Sequence, residues 1–328
     1  ATTRQERTPL CFVPMKSVTV IYHRADFDGL FCREIAKKFL GEAADYIGWD
    51  YGDPDPLPDG ETPRTIYMLD ISVPSLMDHS GLIWIDHHKS AMEKFNPAIR
   101  GCRIDGVAAC RLAWQLFRKH SHDNHTLPTK DDFVSRIVSE PLAVRLAGEY
   151  DIWDKRDPRA ELFQHVLRSR DLANDWALML SPGKPPTAEE RAAFEGIGLE
   201  IGVEPDGTTV PGVVAGLLAG GRVLQYAREQ EYAEVIKDQG FTIDFEGLRF
   251  LACNSHECDI RSHLFAAGIR PEHDALLGFT FTGKDWRVSL YGVPGKPDID
   301  LSKIASAYGG GGHKQACGFR AQTLPFLP

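Results

Sequence analysis

The residues best suited to chemistry in this 328-residue chain are acids and histidines that stand where apolar runs end. Residues 82–88 read Leu-Ile-Trp-Ile-Asp-His-His, so Asp86, His87 and His88 close an apolar run with three groups able to bind a metal or a phosphate. A second cluster, His23-Arg-Ala-Asp26-Phe-Asp28-Gly29, follows the run Ser17–Tyr22, and Asp70 ends the run Thr65–Leu69. Carboxylate and imidazole together suit manganese, zinc or iron, and a large share of hard oxygen donors shifts the balance toward manganese or magnesium. Asp151 is a further candidate, with Glu149 and Asp154 competing for the same role in Glu149-Tyr-Asp-Ile-Trp-Asp154. A single acid in such a place can be a helix cap. Capping does not by itself explain why the pattern recurs at three run ends.

Near the other end of the chain stands Gly309-Gly-Gly-Gly-His313-Lys314. Four glycines let backbone N–H groups approach an anion, and His313 adds a ring that can donate a hydrogen bond. The alternative is a flexible turn.

The elements that must position these groups follow from the hydrophobic pattern. From Val18 to about Trp153 short apolar runs alternate with helical segments, a rhythm that predicts a parallel sheet in an α/β domain. Helices are expected over 29–40, 106–118 and 131–146, the last broken or kinked by Pro141. The stretch Ser181–Thr187 interrupts regular structure; a helix should start at Ala188 with Thr187 as its cap, and 222–239 should form one long helix. From Gly240 the pattern changes to strands at 241–243, 248–253, 275–281 and 286–291, with a hairpin turn at 283–285 and a helix over 299–308. The expected organisation is an extension (1–14), an N-terminal parallel-sheet domain (15–182), a helical linker (183–239) and a smaller C-terminal mixed α/β domain (240–328).

Composition narrows the classes. An apolar content of 43% suits a globular core, and no apolar run approaches the roughly 20 residues that span a bilayer. With no basic-then-apolar leader before Met15, a cytoplasmic enzyme is the expectation. The seven cysteines are odd in number and never spaced C-x-x-C, which argues against a disulfide framework or a zinc knuckle. A net charge of −9 argues against a grip on long duplex nucleic acid, though bound divalent metals would reverse the local field for a short one.

Taken in order, His23-x-x-Asp26-x-Asp28-Gly29, Asp70, Asp86-His87-His88, Asp151 and Gly309-Gly-Gly-Gly-His313 resemble the DHH/DHHA1 phosphoesterase superfamily, over about Val18 to Phe319. Tyr51-Gly-Asp-Pro54, Asp86-His-His-Lys-Ser90, Tyr150-Asp-Ile-Trp153 and Gly312-His-Lys-Gln-Ala-Cys-Gly-Phe319 are similar to its oligoribonuclease and cyclic-nucleotide phosphodiesterase branch. The resemblance implies two divalent metals, usually manganese, in the N-terminal domain. His23, Asp26 and Asp70 would surround one, and Asp28, Asp70, His87 and Asp151 the other, with Asp70 bridging. Asp86 would orient His87 or support the cluster, and His88 would face the substrate phosphate. The C-terminal domain would close a cleft over the site with Gly310, Gly311, Gly312 and His313, with Arg261 and Ser289 as further contacts. Two departures stand out: His23 precedes Asp26 by three residues where many relatives have four, and Tyr291 stands where an arginine is common.

The resulting expectation is a two-metal phosphodiesterase acting on short oligoribonucleotides or (cyclic) nucleotides, with no duplex or membrane partner; a homodimer is compatible with it. A pyrophosphatase or nucleotide phosphatase would use the same metals. A catalytically silent nucleotide-binding module would be marked by lost ligands, and the expected acids and histidines are present. Phe279, Trp286 and Tyr291 could stack bases, although strand aromatics more often belong to a core.

Overall fold

The computed structural model describes residues 16–57, 65–121, 126–154, 156–169, 171–172, 175–181, 184–199, 210–254 and 262–327. The chain divides into two compact units, Ala1–Arg222 and Val223–Pro328. The expected extension at 1–14 and the expected boundary at 182–183 fall outside the described residues.

In the first unit β1 (Val18–His23), α1 (Phe27–Leu40), β2 (Ala44–Trp49), β3 (Thr65–Leu69), β4 (Leu82–Asp86), α2 (Lys89–Lys94), β5 (Arg100–Arg103) and α3 (Ala109–Ser121) build a five-stranded sheet with its helices. All its pairings are parallel, as the alternating pattern predicts, and its order is β2-β1-β3-β4-β5. Ile21, Trp49, Ile66, Met68 and Trp84 form one buried cluster of this sheet. Phe31 of α1 and Phe117 of α3 are buried as well, and Phe39 stacks on Phe117 with ring centroids 5.8 Å apart.

The helix expected over 131–146 is two helices, α4 (Lys130–Val134) and α5 (Leu142–Asp151). Pro141 has no N–H to continue a helix; it takes an extended conformation and becomes the N-cap of α5, while Thr129 and Asp132 close a capping box on α4. Next come α6 (Arg159–Leu167), α7 (Trp176–Met179) and α8 (Ala188–Gly196), the last capped by Thr187 as expected. The long helix α9 (Gly212–Gln239) starts ten residues before the expected position. Its glycines discourage that reading, but Gly221 is there for close approach, because a Cβ would lie 2.0 Å from the Leu162 carbonyl oxygen.

The second unit holds β6 (Phe241–Phe245), β7 (Leu248–Asn254), β8 (Ala275–Phe281), β9 (Trp286–Gly292), α10 (Ser302–Ala307), β10 (Gly311–His313) and β11 (Ala316–Ala321). They form a mixed six-stranded sheet, β10-β11-β9-β8-β7-β6, in which only β7 and β8 run parallel. The turn at 283–285 is the expected hairpin, with the Thr282 N–H donating to the Asp285 carbonyl at 2.8 Å. Phe279 is a core residue of this unit, 3% exposed, not a stacking platform. Five described cysteines are free thiols. No described helix is long and apolar enough to cross a membrane.

The turn from β1 into α1 is the tightest point near the acidic cluster. A Cβ at buried Gly29 would lie 1.9 Å from the His23 carbonyl oxygen, which is backbone and cannot step aside. Gly29→Ala should therefore destabilise the protein by about 1–3 kcal/mol, read by urea denaturation of the full chain. An unchanged midpoint would show that the turn has slack.

Candidate metal centre

Because every strand of the first sheet is parallel, the carboxyl ends lie along one edge. His23 ends β1, Asp26 and Asp28 lie at the start of α1, Asp70 follows β3, and Asp86 ends β4 with His87 and His88 directly after it. The sheet runs β2-β1-β3, so neighbouring connections diverge between β1 and β3, the place where open α/β sheets leave a crevice.

The side chains converge in three overlapping sets: His23, Asp26 and Asp70; Asp28, His87 and Asp151; and Asp70, His87 and His88, each with its ligand atoms within 4.8 Å of one another. His23 Nδ1 lies 2.7 Å from Asp26 Oδ2 and 3.5 Å from Asp70 Oδ2. His87 Nε2 lies 3.4 Å from Asp70 Oδ1, 3.2 Å from Asp151 Oδ2 and 3.6 Å from Asp28 Oδ2. Asp70 thus turns one oxygen toward each imidazole.

Asp26 and Asp28 are helix caps and members of the cluster at once. Asp26 Oδ1 accepts from the Gly29 N–H at 2.9 Å and caps α1. Asp28 accepts from the Ala109 and Cys110 N–H groups at 2.8 and 2.7 Å, capping α3 from 81 residues away. Helix N-termini carry positive partial charge, so both carboxylates are held and partly compensated.

Asp70 has no such support. It is 2% exposed, its backbone is left-handed (φ 60°), and neither carboxylate oxygen accepts a hydrogen bond. Burial, then the nearby charges of Asp28 and Asp26, push its carboxyl well above the usual range; burial and Asp28 do the same to Asp151. Burial works against a charged His23, but contacts with Asp26 and Asp70 prevail and raise its pKa from 6.5 to about 11. A buried carboxylate without donors among other acids calls for a positive partner. Carboxylate oxygens and imidazole nitrogens in these sets fit a hard or borderline divalent cation.

Asp86 is fully buried and accepts from Trp84 Nε1 at 3.1 Å, the His87 N–H at 2.7 Å and the His88 N–H at 3.0 Å. The imidazole it holds is that of His88, through Nδ1 at 2.8 Å, where the expectation was that it would orient His87 or support the cluster. Burial opposes its charge, yet His88 keeps its pKa below the usual carboxylate value. The competition among Glu149, Asp151 and Asp154 is settled by arginine. Glu149 is engaged by Arg136 (2.8 and 2.9 Å) and Arg145, and Asp154 by Arg156 at 2.6 Å, while Asp151 turns into the cluster.

One acid near the centre escaped the sequence reading. Asp50 follows β2 directly, with Oδ1 3.4 Å from His23 Nε2. Its signal was the same as that of Asp70, an acid at a strand end, but β2 is only partly buried and its run Ala-Asp-Tyr-Ile-Gly-Trp is not evidently apolar.

In the second unit Ser289, Gly310 and Gly311 line a depression of about 600 Å³ together with Arg287, Tyr291 and Arg320. The two arginines were missed, although strand alternation puts 287, 289 and 291 on one face of β9, opposite 320, 318 and 316 of β11. Gly312 and His313 belong to β10 and do not line the depression. The glycine run is partly strand rather than flexible turn: a Cβ at Gly310 would meet the Gly318 carbonyl at 2.1 Å, and one at Gly312 the Cys317 Cα at 2.7 Å. Arg261 lies outside the described residues.

No known family profile and no curated protein sequence matches the chain. Among solved structures it is similar to a pGpG-specific phosphodiesterase, PggH, of Vibrio cholerae (17% identity, 93% of each chain, TM-score 0.41). It is also similar to the DHH domain of a member of a family of ribosomal proteins (15% identity, 93% of this chain and 82% of that one, TM-score 0.47). A third is RecJ of Thermus thermophilus in complex with Mn2+ (15% identity, 96% of this chain and 53% of that one, TM-score 0.41). DHH-domain proteins are among its structural neighbours. What the cluster can do chemically follows from its own side chains.

The charge imbalance of the cluster has measurable consequences. Asp70→Asn removes a buried acid that lacks donors and is crowded by other acids, and asparagine tolerates a left-handed backbone. The variant should melt above the wild type in chelator, yet bind added divalent ions more than about 100-fold more weakly; wild-type binding would show that Asp70 holds no ion. The pH dependence should be equally distinctive. The raised pKa of His23 gives stability that is complete below 6.5 and is lost as pH rises toward about 11, and raised Asp70 and Asp151 act in the same direction. In chelator the melting temperature should therefore fall from pH 6.5 upward, while the stabilisation by added manganese grows as protons are displaced.

Proposed function

We propose that this chain is a two-metal phosphodiesterase that hydrolyses short oligoribonucleotides or (cyclic) nucleotides, with manganese as the preferred ion. The observation that carries this reading is Asp70, a buried carboxylate with no hydrogen-bond donor on either oxygen, one oxygen facing the His23–Asp26 set and the other facing His87. Bound divalent ions would polarise the phosphoryl oxygens and acidify a water.

His23, Asp26 and Asp70 would hold one ion, and Asp28, Asp70, His87 and Asp151 would hold the other. Caps on α1 and α3 fix Asp26 and Asp28, so the ligands sit on rigid elements. Asp86 engages His88 Nδ1 and so fixes the ring orientation, leaving the other ring nitrogen to face the substrate. With 38% of its side chain exposed, His88 is accessible to a substrate that the buried His87 is not. The leaving group is a sugar hydroxyl. The depression lined by Arg287, Arg320 and Ser289 in the second unit would suit a phosphate group, and the resemblance implies a part for His313 in substrate binding.

A net charge of −9 leaves little attraction for long nucleic acid, so rates should fall steeply from dinucleotide to chains of about ten nucleotides, and duplex should be inert. The test is the full chain with manganese against linear dinucleotides, cyclic mono- and dinucleotides, pyrophosphate and long RNA. Dinucleotide turnover with 5′-monophosphates among the products supports the reading. Efficient degradation of long RNA, or activity confined to pyrophosphate, rejects it. His313→Ala should raise KM and lower rate with manganese content unchanged by elemental analysis.

A further inference from the structure

We infer that Asp50 is the positioning residue for His23, holding its Nε2–H so that Nδ1 is presented to the ion shared with Asp26 and Asp70. This rests on the metal-centre reading above and goes further into it, since nothing in the ordered motifs includes Asp50.

The two ring nitrogens of His23 face different groups. Nδ1 points at Asp26 Oδ2 (2.7 Å) and Asp70 Oδ2 (3.5 Å) and makes no directed hydrogen bond. Nε2 lies 3.4 Å from Asp50 Oδ1. A neutral imidazole that ligates through Nδ1 must carry its proton on Nε2, and a carboxylate there fixes both tautomer and ring orientation. The separation of 3.4 Å is long for a hydrogen bond and should shorten when Nδ1 takes an ion.

Local structure holds Asp50 in place. His23 and Trp49 are partners in the β1–β2 register, so the residue after Trp49 emerges beside His23. The Arg24 N–H donates to the Trp49 carbonyl at 3.2 Å. Past the strand the chain folds back in a short loop, with the Asp53 N–H donating to the Asp50 carbonyl at 3.0 Å and the Asp50 N–H to Asp53 Oδ2 at 2.9 Å. The Arg24 guanidinium then grips the Asp53 carboxylate through Nε at 3.1 Å and Nη2 at 2.8 Å. Arg24 and His23 are adjacent on β1 and its turn, so one neighbour clamps the loop while the other receives its carboxylate. Asp50 lies outside the three sets of ligand atoms that converge at the centre, and it reaches them only through His23.

The test titrates metal-stripped full-length protein with manganese chloride by calorimetry, comparing wild type, Asp50→Ala, Asp50→Asn, His23→Ala and the double variant His23→Ala/Asp50→Ala. Asp50→Ala should weaken one of the two ions by about 10- to 100-fold and spare the other. Asp50→Asn, whose amide oxygen can still accept from Nε2–H, should stay within about threefold of wild type. The double variant should bind no more weakly than His23→Ala alone, because Asp50 acts only through that ring. Arg24→Gln, which frees the loop, should fall between Asp50→Asn and Asp50→Ala. The inference is overturned if Asp50→Ala binds both ions like wild type, if the two substitutions are additive, or if both ions weaken equally with a lower melting temperature in chelator. Wild-type protein that binds no manganese overturns the metal centre itself; wild type with two ions and an unchanged Asp50→Ala overturns this inference alone.

Discussion

The first unit is organised around mutual repulsion among carboxylates confined to one buried sheet edge. Two unit charges 4.8 Å apart repel by about 3 kcal/mol at an effective dielectric of 20, and the ligand atoms of Asp26 and Asp70, or of Asp28 and Asp151, lie within that separation. Each acid therefore needs its own compensation, and the surrounding elements can be understood by how they provide it. Asp26 and Asp28 sit on the N-termini of α1 and α3. Asp86 is surrounded by one indole N–H, two backbone N–H groups and the His88 ring. Asp70 is left without a donor, which makes it costly to bury and leaves both its oxygens open to a positive partner.

Other charged pairs in the unit keep competing acids out of the cluster. Arg136 and Arg145 converge on fully buried Glu149, and Arg145 and Arg159 on Asp157. Burial opposes the charge of Asp157, but the arginines hold its pKa down to about 2, so it stays ionised and engaged away from the centre. Helix α5 can then end in Asp151 with a single acid directed at His87. The left-handed backbone at Asp70 costs about 1–3 kcal/mol. Its neighbours hold it there, since the Asp70 N–H donates to the Ile85 carbonyl at 2.9 Å and couples β3 to β4 at the site.

The sequence alone was enough for the parallel sheet and for β6 to β9 of the second sheet, because their apolar runs are contiguous, whereas the glycine-rich β10 and the neighbouring β11 were not legible as strands and the ligand sets rested on the resemblance. The order Asp-x-Asp, Asp, Asp-His-His, Asp was legible for the same reason. Contacts that join residues far apart in sequence were not. That Asp28 caps α3 from 81 residues away, that Asp86 grips the His88 ring, and that Asp50 comes to lie beside His23 follow from strand register and helix placement. The choice of Asp151 over Glu149 and Asp154 depended on which acids found an arginine, and no local spacing encodes that. Likewise Pro141 announced a break in one long apolar stripe, but only tertiary packing turned the break into the start of α5, because a helix needs a buried face as well as a capable sequence.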